Sequence, residues 1–154
     1  MMLVVFHVGE ERYALEARQV VEVLPLLEMK RIPNAPNAVA GVFNYRGRAT
    51  PAIDLSAMLL GREAGKLLST RIIVIQYPEK EGKLRPLGLV VERVAEVIRR
   101  DREDFIKGSK FADAPCAGPL SEDGHGVLLP LGGKNLLNDR LRDILFCDTL
   151  EAIP

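Results

Sequence analysis

Histidine and cysteine, the side chains most apt for acid–base, nucleophilic and zinc chemistry near neutral pH, are scarce in this sequence. There are two histidines, His7 and His125, and two cysteines, Cys116 and Cys147. His7 falls within an apolar alternating stretch, and His125 within the turn-forming run Asp123-Gly124-His125-Gly126. Neither belongs to an HExxH pair or to a Cys/His cluster, so the spacing offers no zinc or other metal site. The cysteines are far apart and form no CxxC. A chain able to build its own core needs no disulfide framework, so both are read as reduced and incidental. No serine occupies a GxSxG elbow, and no GxGxxG or complete phosphate loop follows a strand. Gly132-Gly133-Lys134 has the end of such a loop but lacks its first glycine and its hydroxyl residue. Asp54 follows an apolar strand-like run and is better suited to capping a helix than to paired-carboxylate chemistry. The sequence therefore predicts no catalytic residue, no cofactor and no enzyme.

Composition narrows the function further. Lysine and arginine number 21 and so do aspartate and glutamate, giving no net charge. A neutral chain has no long-range field for nucleic acid or an anionic membrane. The most basic run, Arg99-Arg100-Asp101-Arg102-Glu103-Asp104, is interrupted by acids. No apolar run approaches the ~20 residues of a membrane span. The opening Met1-Met2-Leu3-Val4-Val5-Phe6 lacks the basic segment and cleavage site of a signal peptide. A cytoplasmic protein without direct membrane insertion is expected.

The elements that must position any site read as mainly β. Val4, Phe6 and Val8 alternate, a turn follows at Gly9-Glu10-Glu11, and Arg12-Tyr13-Ala14-Leu15 resumes extended structure. Arg71 to Tyr77 is a β-branched run suited to a strand buried on both faces. Leu87 to Val91 and Gly126 to Leu131 predict further strands. Ala17, Val20, Val21 and Leu24 have helical spacing, yet Val20 to Leu24 is β-branched and stops at Pro25, so periodicity leaves this segment open. Asp54 or Ser56 predicts the cap of a short helix through Leu60, closed by Gly61. Near the end, Leu137, Leu141, Ile144 and Leu145 share a helical face. A tight turn is expected at Asn44-Tyr45-Arg46-Gly47, with Asn and Gly able to take positive φ and Arg46 standing out from its tip.

The chain also repeats itself. Tyr13 to Leu24 lies over Leu87 to Ile98, matching Leu15 with Leu89, Val20 with Val94, Glu22 with Glu96 and Val23 with Val97. Ala40-Gly41 precedes Leu59-Leu60 by the interval that separates Ala117-Gly118 from Leu136-Leu137. Two similar halves of roughly 75 residues suggest paired small β-barrels, each too small to be stable alone.

These motifs, taken together and in order, resemble the CheW-like chemotaxis coupling family. The resemblance rests on Phe6 to Tyr13, Val20 to Val23, Pro33 to Pro36, Gly41 to Gly47 and Pro51 to Leu55, with Leu87 to Glu92 and Val94 to Val97 in the second half. It covers residues 3 to 146. Tyr45 departs from the leucine usual in the family's Asn-Leu-Arg-Gly turn, and both Pro78 to Pro86 and Phe111 to Gly126 are extended loops. The resemblance implies a single domain over 1–154, with halves near 1–66 and 67–154, formed of two SH3-like five-stranded barrels packed around a shared core. It also implies that Val20 to Leu24 is a strand, with only a turn at Glu16 to Gln19.

By the same resemblance the protein is a non-enzymatic adaptor. Its partners would be the cytoplasmic helical hairpin of a chemoreceptor and the regulatory domain of a CheA-type histidine kinase, with CheW-like ring assembly. Val20, Gly88 and Val94 match groove-side positions toward the receptor. Arg46 and Glu22 match polar contact positions, and Gly41 a glycine near them. The rival expectation is a small β-barrel that binds nucleic acid, which would need a basic groove with stacking aromatics.

Overall fold

The computed structural model of the protein describes residues 1–79, 82–101, 121–123, 126–132 and 136–146. His125, Cys116, Cys147, Gly133-Lys134, Arg102-Glu103-Asp104 and most of the segment from Phe111 to Gly126 lie outside the described residues.

Alternating apolar residues pair into two antiparallel hairpins at the centre of the fold. In the first, β1 (Met2–Val8) pairs with β2 (Glu11–Glu16). In the second, β6 (Arg71–Pro78) pairs with β7 (Leu84–Val91). Between them run β3 (Val20–Pro25), β4 (Val39–Tyr45), β5 (Arg48–Asp54) and helix α1 (Leu55–Leu60). After them come β8 (Arg93–Arg99), β9 (Ser121–Asp123), β10 (Gly126–Pro130) and helix α2 (Asp139–Leu145). Two five-stranded mixed sheets result, ordered β8-β1-β2-β10-β9 and β3-β6-β7-β5-β4. The chain forms the mainly β fold expected from its residues, in the two five-stranded units that the family resemblance implies.

Strand order shows that the repeat is structural. Replacing each of β1 to β5 by its counterpart five places on, and the reverse, converts one sheet into the other. Each sheet has one parallel pair at the matching place, β10 with β2 and β5 with β7. The match extends to an irregularity. Val20 pairs with Ile75 and Glu22 with Val74, so Val21 is the extra residue of a bulge. Val94 pairs with Phe6 and Glu96 with Val5, which leaves Ala95 extra in the same way. The sheets do not follow the halves, however. β3 leaves its own hairpin to edge the second sheet, and β8 crosses the other way to edge the first. β1 to β5 with α1 correspond to β6 to β10 with α2, while each sheet draws on both sets.

Three apolar clusters follow from this exchange. Leu3, Val5, Ala14 and Leu128 fill the inner side of the first sheet. Phe43, Ala52, Ile72, Val74 and Val90 fill the inner side of the second. The opposite faces of the same strands build the largest cluster, with Phe6, Val8, Tyr13 and Leu15 meeting Ile73, Ile75, Leu87, Leu89 and Val91. Arg71 to Tyr77 reads as a continuous apolar run because its alternate side chains serve two different clusters. α2 closes the shared cluster with Leu141, Leu145 and Phe146, and the Phe146 ring stacks on Tyr77 at 5.4 Å.

Residues 20–25 are extended, and Ala17–Gln19 is a 3-10 turn. Ladder bonds to β6 override the helical spacing of Ala17 to Leu24. Asp54 is the α1 cap: its Oδ1 accepts from the Ala57 N–H at 3.2 Å, and Oδ2 accepts from the Ala64 N–H at 2.9 Å. Gly61 ends the helix at φ 76°. Ser56 serves elsewhere.

Glu92, between β7 and β8, ties the sheets together. Its Oε1 accepts from Ser56 Oγ at 3.0 Å and from Arg62 at 2.8 Å, and its Oε2 accepts from the Gly9 N–H of the first hairpin at 3.2 Å. Burial opposes ionisation of this carboxyl. The bonds from Arg62, Ser56 and Gly9 outweigh it and hold the group below its ordinary value of 4.5. Because the folded value lies below the unfolded one, the stabilisation is complete above the unfolded value. It is lost as pH falls through the folded value. Glu92→Gln should cost about 1–3 kcal/mol at pH 7. The gap to the parent protein should close as pH falls below the ordinary carboxylate range, read by urea denaturation at pH 7 and in acid. A gap of equal size at both would show that the charge contributes nothing.

Candidate functional site

The β4–β5 hairpin carries the charged end of the site. Tyr45 pairs with Arg48, so Arg46 and Gly47 alone form the turn. Both have positive φ, 52° and 83°, as a two-residue type I′ turn requires. The left-handed residue expected at Asn44 is therefore Arg46. Asn44 instead accepts a hydrogen bond from the Gly47 N–H at 2.8 Å through its side-chain oxygen. Arginine is unfavourable in this conformation, by about 1 kcal/mol or more relative to glycine or asparagine.

Arg46 does not stand free of the hairpin. Its guanidinium donates to Glu22 Oε2 at 3.0 Å and lies over the Tyr45 ring at 5.2 Å. The Tyr45 hydroxyl donates to the same oxygen at 2.8 Å. Partial burial raises the Tyr45 hydroxyl above its ordinary value, and the bond to Glu22 adds to this. Glu22 sits on β3 and Tyr45 on β4, the opposite ends of one sheet order, so the sheet curls enough for side chains from its two edges to meet. Lys30 and Val42 exchange backbone bonds of 2.9 Å beside this contact. The result is an ordered Glu22–Tyr45–Arg46 group whose arginine side chain is 72% exposed. Tyr45 is the member that sequence reasoning did not place in the site. Its signal was its departure from leucine one residue before Arg46, which exchanges an apolar tip for a hydroxyl.

The two glycines act from beneath. Gly41 lies within β4, two residues after its start at Val39. At φ 140°, a Cβ there would fall 2.5 Å from the Lys30 carbonyl oxygen, so its smallness admits the segment that pairs with β4. Gly88 is at the centre of the second sheet. A Cβ there would meet the Phe43 ring at 2.6 Å and Ile72 at 3.1 Å. It is buried and faces the sheet's inner cluster, so a change at Gly88 reaches the surface through Phe43 and β4.

Val20 and Val94 occupy the paired bulges on the two edge strands. Both are half-buried and pack on the shared cluster. Their neighbours turn outward: Val21 and Val23 on β3 are 42% and 41% exposed, and Val97 on β8 is 56% exposed. The structure thus joins Glu22 directly to Arg46, sets Gly41 against Lys30 and Gly88 against Phe43, and gives Val20 and Val94 equivalent places on different sheets. This arrangement offers apolar strips, a held charge and hydrogen-bonding groups for recognition. His7, on β1, sits in a transverse row with Arg93 and Arg12. Burial and the two guanidiniums lower its pKa, and it has no contact with the Glu22–Tyr45–Arg46 group among the described interactions.

Comparison with known proteins agrees with this architecture. A profile of the CheW-like domain matches residues 2–139. Chemotaxis protein CheW of Helicobacter pylori is 30% identical over 141 residues, covering 91% of this chain and 74% of that protein. Chemotaxis protein CheW of Rhizobium meliloti is 32% identical over 131 residues, covering 82% and 81%. The crystal structure of scaffolding protein TtCheW from Thermoanaerobacter tengcongensis superposes with a TM-score of 0.71 at 26% identity, covering 84% of this chain and 82% of that one.

Two stability measurements separate the structural residues from the exposed ones. Gly88→Val should overpack the Phe43 site and cost about 1–3 kcal/mol. Arg46→Asn should be neutral or stabilising, because asparagine suits the left-handed turn and an exposed ion pair contributes only about 0–1 kcal/mol. Thermal melting checks both, and a fall of more than ~1 kcal/mol for Arg46→Asn would make the Glu22 pair a structural element.

Proposed function

The chain belongs to the CheW-like domain family, and from that premise we propose that it is a non-enzymatic adaptor of a chemosensory array. It couples the cytoplasmic helical hairpin of a chemoreceptor to the regulatory domain of a CheA-type histidine kinase. The observation that carries this reading is the exposed Arg46, held in an unfavourable backbone conformation and oriented by Glu22 and Tyr45. Strain retained at an exposed turn is better explained by a contact with a partner than by stability.

The apolar strips support the other half of the reading. Val20 and Val94 lie at matching bulges beside outward-facing valines. A helical hairpin recognised through apolar anchors suits such a pair of related edges. The two sheets carry similar but unlike ends, which suits head-to-tail contact with CheW-like domains and closure into rings. The adaptor works geometrically: it holds receptor and kinase in one assembly, and signalling shifts the populations of their arrangements. It resides in the cytoplasm and reaches the membrane through its receptor partner. No helix among the described residues is long and apolar enough to cross a membrane. The nucleic-acid alternative has little to support it, since acids and bases balance and tryptophan is absent.

Reversing the charge at Arg46 tests the proposal. Arg46→Glu breaks the exposed pair with Glu22, so it should cost no more than about 1 kcal/mol of stability. It should weaken assembly with receptor and kinase by ~2 kcal/mol or more, with a matching loss of kinase activation in a reconstituted system. The exchange Glu22→Arg with Arg46→Glu restores the internal pair. Assembly should remain weak if the cation at Arg46 meets the partner. Wild-type activation by Arg46→Glu would remove Arg46 from the contact.

A further inference from the structure

The segment after α1 ends in a turn held firmly in place. The Thr70 N–H donates to the Leu67 carbonyl at 3.1 Å, and the Leu67 N–H donates to the Thr70 hydroxyl at 3.1 Å. That hydroxyl donates in turn to the Gly65 carbonyl, and Arg71 donates to the carbonyls of Leu68 and Thr70. Thr70 is buried, yet the tip side chains point into water: Leu67 is 68% exposed and Leu68 97%. A turn tied down this way cannot fold its leucines inward. It presents a preformed apolar knob whose ordering cost is met before any partner arrives.

Beside the knob lies a cleft of about 450 Å³. Its floor is formed by Leu26, Met29, Ala64 and Val90, an extension of the second sheet's inner cluster. Lys66 and Thr70 contribute to its wall, whereas Leu67 and Leu68 do not. The knob therefore leaves its own cleft open, and knob and cleft share one face of the molecule. A third acid of the lining, Asp54, is buried and its oxygens are taken by the Ala57 and Ala64 N–H groups, which leaves an exposed rim of two acids, Glu28 and Glu63, and two bases, Arg31 and Lys66, with Arg31 and Glu63 paired at 2.9 Å.

We propose that a second copy of this chain docks here, in a two-fold pair where the Leu67-Leu68 knob of each copy enters the cleft of the other. A rim of one sign would select a partner of the opposite sign. A rim of equal and mixed charge complements itself under a two-fold rotation. Pairing takes both leucines and the cleft floor out of water in one step, which is the driving force the free chain leaves unused. The inference does not depend on the adaptor reading. Val39 and Ala40, which line the cleft, begin β4, whereas Arg46 follows its far end, about 20 Å away at the usual strand rise. The Glu22–Tyr45–Arg46 group stays free in the pair.

Sedimentation equilibrium of the full chain over a concentration series tests this. The parent protein should show a reversible monomer–dimer equilibrium. Leu68→Asp should weaken it at least tenfold while melting like the parent, since Leu68 touches nothing in the core. Ala64→Trp fills the cleft and leaves the knob intact, and should weaken it equally. If that variant is unstable, Arg31→Glu combined with Lys66→Glu makes the rim uniformly acidic and should do the same. Mixing Leu68→Asp with Ala64→Trp, or with that rim variant, should recover part of the dimer, because one sound knob then meets one sound cleft. A parent protein that is monomeric throughout, or variants that associate as tightly as the parent, would overturn the proposal.

Discussion

The strands β1, β2, β6 and β7 carry apolar side chains on both faces, and a single five-stranded sheet cannot bury both. One face of each closes on its own curled sheet. The other needs a second sheet of the same kind, and the repeat supplies one. The shared cluster of Phe6, Val8, Tyr13 and Leu15 against Ile73, Ile75, Leu87, Leu89 and Val91 is the contact on which everything else depends. Neither half could exist as a domain without leaving that surface in water.

The exchange of β3 and β8 secures this contact. Each strand leaves its own hairpin and completes the other sheet, so the sheets are linked through the backbone ladders as well as through side chains. The paired bulges at Val20 and Val94 lie where these strands cross. A bulge bends and twists the strand locally, and here it directs one valine to the shared cluster while its neighbours face outward. The features that build the core thus also create the exposed apolar strips. Glu92 strengthens the junction by joining the first hairpin to α1 and Arg62.

Function, on this reading, occupies the surfaces that the double sheet leaves over. The Glu22–Tyr45–Arg46 group forms because the second sheet curls far enough for side chains of its two edge strands to reach each other. Gly41 and Gly88 permit that curl: one lets the segment at Lys30 approach β4, and the other makes room for Phe43. These glycines shape the sheet beneath the hairpin, while the Arg46 side chain stays exposed at its tip.

Much of this was legible in the residues. The strands followed from alternation, the α1 cap from Asp54 and Gly61, and the repeat from matching leucine, valine and glutamate positions, because each depends on neighbours close in sequence. The ordered motifs that resemble the CheW-like family extended that reading to the architecture and to residues 20–25. Other features depended on contacts between distant segments. Helical spacing at Ala17 to Leu24 was overruled by a ladder with β6, some fifty residues on. Positive φ passed from Asn44 to Arg46 because strand register, and not local preference, chose the turn residues. The packing of Phe43 against Gly88 joins residues far apart in the chain, and only the inner cluster brings them together. Local chemistry determined which segments are strands and which residues can cap or turn. Only the tertiary structure decided which sheet each strand joins, which face each side chain takes and which charges meet, because those outcomes minimise exposed apolar area over the whole chain.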